Sequence, residues 1–260
     1  MNQMKTIIKK AGILYMALSF GLTSCETFDF GQEMGQKVIC IISDDDLVFT
    51  GMHDLNEPES TGYISVNCGG SLHIDRDVEV VMEYSPEVLA QYNKSKYDID
   101  EEKYAKELDS RYYTIPEMRV TLKASSADTY DTMPIRVRPE GLSPDSIYFI
   151  PLRIRSVSAY SVNPDKSQVL YRVYMKNLYA RSDEASIYNA TGTTQKDGEN
   201  EVEAAASQTF HPLTKNTFRI FAGIKGYETD ADVIRKNGII VQVNEDHSLT
   251  MRPYDEDSIE

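Results

Sequence analysis

From Lys37 onward the apolar residues fall in short alternating runs separated by turn formers, and no other feature limits the possible folds as strongly. Runs at Lys37–Ser43, Leu47–Thr50, Thr61–Asn67 and Val78–Tyr84 are divided by Asp44-Asp45-Asp46 and Asn67-Cys68-Gly69-Gly70. A period of two puts successive side chains on opposite faces of a strand, and short strands at this spacing build a β-sandwich. The pattern resumes at Arg111–Ile115, Arg119–Lys123, Met133–Val137, Ile147–Val157 and Val169–Leu178, with Asn163-Pro164-Asp165 as the last turn. Pro116 and Pro134 belong at strand starts or edges, because proline donates nothing to a ladder.

Short helical insertions are expected between the strands. Ser85-Pro86-Glu87 has the form of an N-cap, a first-turn proline and an acid at the positive helix end, with Val88, Leu89 and Tyr92 as an apolar face. Asp100–Leu108 reads as a second, mostly charged helical piece on the surface. Neither is long enough to organise a domain. After a polar linker at Arg181–Ala185, strand patterning returns at Ile187–Thr193, Gln208–Leu213, Thr217–Ala222, Ile239–Asn244 and Leu249–Arg252, the last two joined by a turn at Asn244-Glu245-Asp246-His247. The expectation is an all-β chain: a β-sandwich at residues 37–180 and a second, smaller antiparallel β domain at 186–260.

The start of the chain carries Lys5, Lys9 and Lys10 ahead of an apolar run from Ala11 to Leu22, the proportions of an export signal. The run falls short of the roughly 20 residues that span a bilayer. Leu22-Thr23-Ser24-Cys25 resembles the lipobox of bacterial lipoproteins. That resemblance implies that residues 1–24 are removed, that Cys25 is lipidated and that residues 25–36 are a tether. Several acyl chains hold a protein to a membrane where one chain would not. Removing three Lys with the signal changes the net charge from −14 to 24 − 41 = −17. Nucleic acids and anionic lipid surfaces need a basic face, so they are poor partners for this chain.

The residues that carry chemistry are scattered. His53, His73, His211 and His247 lack the spacing of a zinc site, and there is no nucleophile elbow or phosphate loop. Asp44-Asp45-Asp46 lacks the spaced ligands and glycine of a calcium loop. No metal, cofactor or catalytic residue is expected, and the chain reads as a non-enzyme. Export would permit a disulfide between Cys40 and Cys68, but both sit in apolar strand-like segments and two buried free thiols are preferred.

A family resemblance rests on the order Val78-Glu79-Val80-Val81-Met82, Ser85-Pro86-Glu87-Val88-Leu89, Tyr92-Asn93, Tyr148-Phe149-Ile150-Pro151-Leu152-Arg153-Ile154 and Asn177-Leu178-Tyr179-Ala180. Residues 37–180 thereby resemble the N-terminal DUF1735 domain of Bacteroidetes surface lipoproteins. Tyr188-Asn189-Ala190-Thr191-Gly192-Thr193 and the closing hairpin are similar to the DUF4361 domain that often follows it. About 75 residues are fewer than that domain normally has, so either a shortened form or a truncated one with an exposed edge is expected. The resemblance implies an immunoglobulin-like sandwich, an outer-membrane location and a place in glycan utilisation, and brings no active-site residues. The sparse acids after the lipidated cysteine, Glu26 and Asp29, leave the periplasmic face open as well as the cell surface. With no Trp and 17 Tyr, sugar stacking falls to tyrosine, and Tyr227 and Tyr254 are the candidate ligand-binding residues. The expected function is non-catalytic glycan binding with protein partners of an uptake complex; the alternative is a structural or adhesive role through protein contacts.

Overall fold

The computed structural model of the chain describes residues 35–195, 198–223, 226 and 229–255. Cys25 and Tyr227 lie outside them. The alternating runs become strands β1 (Val38–Ile41), β2 (Val48–Asp54), β3 (Ser60–Gly69) and β4 (Val78–Tyr84), followed by helix α1 (Pro86–Tyr97). Then come β5 (Lys106–Glu107), β6 (Tyr113–Thr114), β7 (Arg119–Leu122), β8 (Tyr130–Val137), β9 (Tyr148–Val157), β10 (Ser161–Val162) and β11 (Gln168–Lys176). They form two facing sheets, ordered β10-β1-β3-β8-β6 and β2-β11-β9-β4-β7, with β5 alongside β9. β1 lies antiparallel to β3, after which the chain crosses over and β2 lies parallel to β11. One N-terminal segment thus serves both sheets.

In β1, β3, β4, β7 and β8 alternate residues enter the core, while β9 buries Phe149 to Leu152 in succession. Ile39, Ile41, Ile64, Val66, Val78, Val80, Met133, Ile135, Val137 and Val169 are fully or almost fully buried between the sheets. The same alternation keeps the two cysteines apart. Cys68 pairs with Ile39 and faces the core, while Cys40 pairs with Asn67 and faces outward, and no disulfide joins them. Pro134 sits inside β8, opposite Tyr63 of β3. It is tolerated because β6 pairs only with Arg136 and Val137, so the other side of β8 is open at the proline.

The core contains one polar pair. His53 Nδ1 lies 3.2 Å from the Ser60 carbonyl, which can only accept; that nitrogen therefore carries the proton, and Nε2, 2.9 Å from the Tyr171 hydroxyl, accepts from it. Room for the phenol comes from two glycines. A Cβ at Gly51 or at Gly62 would stand 1.8 Å from Tyr171 Oη. Gly62→Ala is therefore expected to cost about 1–3 kcal/mol through overpacking. A thermal melt or denaturant titration checks this, and unchanged stability would mean that Tyr171 moves aside freely.

Helix α1 packs Val88 and Leu89 on Phe149 and Leu170, and Tyr92 sets its ring edge-on to Phe149 with 5.1 Å between centroids. Ser85 precedes the helix and Pro86 opens it, but the Ser85 side chain makes no capping hydrogen bond. The helix expected at Asp100–Leu108 is instead a single 3-10 turn, Glu101–Lys103, followed by β5. Buried Asn93 explains the extended path: its side chain accepts from Ala105 N and donates to Ala105 O, both at 2.9 Å, and draws the segment onto α1. The strand expected at Arg111–Ile115 shrinks to Tyr113–Thr114 because Asp109 accepts from Arg111 N and sets a 3-10 turn at Ser110–Tyr112.

The remainder folds as a third sheet, an antiparallel meander of β12 (Ser186–Thr194), β13 (Val202–Thr214), β14 (Thr217–Phe221), β15 (Gly238–Val243) and β16 (Leu249–Pro253). A helix absent from the sequence-based expectation, α2 (Ala231–Asn237), precedes β15 and is capped by Asp230, whose carboxylate accepts from the N–H groups of Asp232 and Val233. Among the described residues, two buried polar groups help join this sheet to the sandwich. Buried Asn177, just past β11, donates to the carbonyls of Thr214 and Thr217 at 2.8 and 3.0 Å, and its oxygen accepts from Tyr179 N and Ala180 N. Arg219 of β14 meets Asp145 of the loop before β9. Among the described residues no helix is long and apolar enough to cross a membrane.

Candidate functional site

A cavity of about 760 Å³ lies where Asp145 and the start of α2 bring the sandwich and the third sheet together. Four sandwich segments form one wall: Tyr97 at the end of α1, Glu102 and Lys103 of the 3-10 turn with Tyr104 after it, Lys106 of β5, and Asp145 to Ile147. Thr229 to Asp232, entering α2, form the other. The helix ends at Asp98, which adopts a φ of 51°, and the chain doubles back so that Tyr104 returns to Tyr97. Their ring centroids are 6.4 Å apart, and the Tyr104 hydroxyl donates to the Asp98 carbonyl at 2.6 Å. Tyr92 holds Tyr97 edge-on from behind, also with centroids 6.4 Å apart. Both tyrosines are half-buried, so each ring is fixed by the body and partly open to solvent.

Polar groups surround this aromatic pair. Lys106 donates to the Ser146 hydroxyl at 3.1 Å, Lys103 is paired with Asp100 at 2.7 Å, and Glu102 stands exposed at the rim. Across the groove Asp230 holds the helix cap and Asp232 pairs with Arg235. Flat apolar rings beside hydroxyls, carboxylates and amines suit a ligand with an apolar face and many hydroxyls. A nucleophile with a base, or a gathered metal-ligand set, is a different arrangement; among the described residues no three His, Cys, Asp or Glu side chains are grouped to hold an ion.

Arg219 lies behind Asp145, outside the residues that line the cavity. Its side chain is 1% exposed and makes two hydrogen bonds to the carboxylate, at 2.5 and 2.7 Å. Burial works against its charge, but the Asp145 hydrogen bonds outweigh this and hold the guanidinium firmly protonated. The rings of Tyr254 and Phe221 lie 5.2 and 6.0 Å from the guanidinium carbon. Tyr254 is half-buried there, anchored also by its N–H to the Gly238 carbonyl. The structure thus places this candidate against the arginine that supports the groove, and not among the groove's lining residues. Tyr97 and Tyr104, which do line it, escaped the reading of the sequence. Their one signal is position: two tyrosines flank the charged stretch Asp98–Lys103, where the apolar face of α1 has already ended.

Comparison with known proteins bears on the whole chain. No curated protein sequence matches it. Among solved structures, a Bacteroides ovatus protein of unknown function shares 18% identity at a TM-score of 0.66, over 85% of this chain and 73% of that one. A multidomain protein including DUF1735 from the same organism shares 19% at 0.63, over 85% and 72%. An auxiliary nutrient binding protein from Bacteroides thetaiotaomicron shares 16% at 0.59, over 84% and 74%. These likenesses establish the fold. Paired family models match an N-terminal domain at residues 36–161 and a C-terminal domain at 167–260. The second match begins one residue before β11, which hydrogen-bonds between β2 and β9 in the sandwich, so the two halves interlock. With the paired N- and C-terminal models matched in order and the fold shared with a DUF1735-containing protein, the chain belongs to the two-domain DUF1735 family.

Proposed function

We propose that this protein is a non-catalytic glycan-binding lipoprotein of the outer membrane, held through Cys25, that seats a sugar chain in the groove between Tyr97, Tyr104 and the start of α2. The observation that carries this reading is the pair of fixed, partly open tyrosine rings inside a groove otherwise lined by hydroxyls, carboxylates and amines. A pyranose has one apolar face for a ring and equatorial hydroxyls for the rim. The fold shared with an auxiliary nutrient binding protein supports a binding role, and the lipobox at Leu22–Cys25 supports the anchor. In this reading the protein acts beside a glycan-uptake complex, whose proteins are its partners.

Chromatography of the protein over immobilised host and plant polysaccharides tests the proposal. Selective retardation on one glycan class is expected, and Tyr97→Ala should reduce it by roughly tenfold in affinity, about 1.4 kcal/mol, without altering the melting temperature. Elution at the void position from every glycan, by protein shown to be folded, would sink the reading. Hydrolysis of a retained glycan would show an enzyme instead.

A further inference from the structure

We propose that β12 is a pairing edge for a second copy of this chain. The third sheet ends at β12, whose inner side meets β13 through nine successive residue pairs, from Ser186 with Phe210 to Thr194 with Val202, without a register shift. Its outer side is a row of unpaired backbone donors and acceptors, and among the described residues no strand covers it. Proteins normally guard such an edge with lysine, proline, a bulge or simple shortness. Four of the other edges follow that rule: β6 and β10 are two residues long, β7 has four residues and opens on Arg119, and β16 carries Arg252 and Pro253; β2, with seven, is shorter than β12 and ends on Asp54. β12 does not follow it. It is nine residues long, and from Ala185 to Gln195 the chain contains neither a charge nor a proline.

Charge identifies the occupant. At a net −14, two copies repel each other over most of their surfaces, and an uncharged strip is where they can approach. An antiparallel strand can pair with its own copy across a two-fold axis, so one edge supplies both sides of the interface. Exposed apolar groups flank the strip, with Ile187 63%, Tyr188 44% and Val202 61% accessible. Pairing would turn two projecting hairpins into a continuous four-stranded ribbon; a hairpin alone is marginal in water.

Sedimentation velocity of the full chain in detergent tests this. A reversible dimer is expected at roughly 10–100 µM, tightening as added salt screens the repulsion between copies. Joint substitution Ala190→Lys and Gly192→Lys should weaken association at least tenfold: both positions are exposed, nothing lies within 4 Å of a Cβ at Gly192, and facing lysines repel. Independently of whether that variant folds, amide exchange along β12 of the unaltered chain should slow with rising protein concentration. A monomer throughout that range, or a dimer that leaves β12 exchange unchanged, would overturn the proposal.

Discussion

Asp145→Ala is expected to destabilise the protein by roughly 3–5 kcal/mol, the usual consequence of leaving a buried charge without its partner. Arg219 has almost no solvent contact, and Asp145 provides both of its charged hydrogen bonds. Tyr254 and Phe221 offer ring faces, which are weaker than a carboxylate in this setting. Loss of the aspartate also cuts a tie between sandwich and third sheet, so the groove should loosen with it. Denaturant unfolding measures the cost. Adding Arg219→Met to the alanine variant should restore a substantial part of the stability, because it removes the stranded charge. If Asp145→Ala alone falls within about 0.5 kcal/mol of the unaltered protein, the pair does not bear on the fold as described.

Acid is expected to act almost as strongly. Burial pushes His53 down from 6.5 to about 4, opposed by its hydrogen bond to Ser60. His211 also falls to about 4, through burial first and the neighbouring Arg219 second, with Asp145 pulling the other way. Unfolded, both rings titrate near 6.5, so between that pH and about 4 the unfolded chain binds more protons than the folded one. Their contribution is complete above pH 6.5 and is lost as the pH falls towards 4. For His53, which is fully buried, the loss reaches about 3 kcal/mol at 1.36 kcal/mol per pH unit. His211 adds a loss of the same sign. Unfolding free energies measured at pH 7, 5.5 and 4.5 should fall steadily, and a flat profile would show that both rings are open to protons.

Strand positions were legible because the signal is local. Val78–Tyr84 alternates in the sequence and alternates in burial, with Val78, Val80 and Met82 inside. Elements decided by distant partners were not. Asp100–Leu108 has helical composition, yet Asn93 takes Ala105 into a side-chain pair that no helix could keep. The cap and charge signals of α2 were present at Asp230, Asp232, Arg235 and Lys236 but stood in a stretch otherwise full of strands. The groove was harder still. Tyr97 and Asp145 are 48 positions apart, and Asp145 and Arg219 are 74 apart, so neither wall is visible until the sandwich and third sheet meet. Tyr254, read from the sequence as a ligand-binding candidate, has its ring against the arginine behind the wall.

The groove reading stands or falls on one comparison: calorimetric titration of the retained glycan into the unaltered protein, Tyr97→Ala, Tyr104→Ala and, as a surface control, Tyr130→Ala. Tyr130 is 49% exposed on β8 and lines no part of the cavity. Roughly tenfold weaker binding by both groove variants, at unchanged melting temperature and with the control unaffected, is the predicted result. Equal affinity across all four proteins would place the ligand elsewhere and contradict the account.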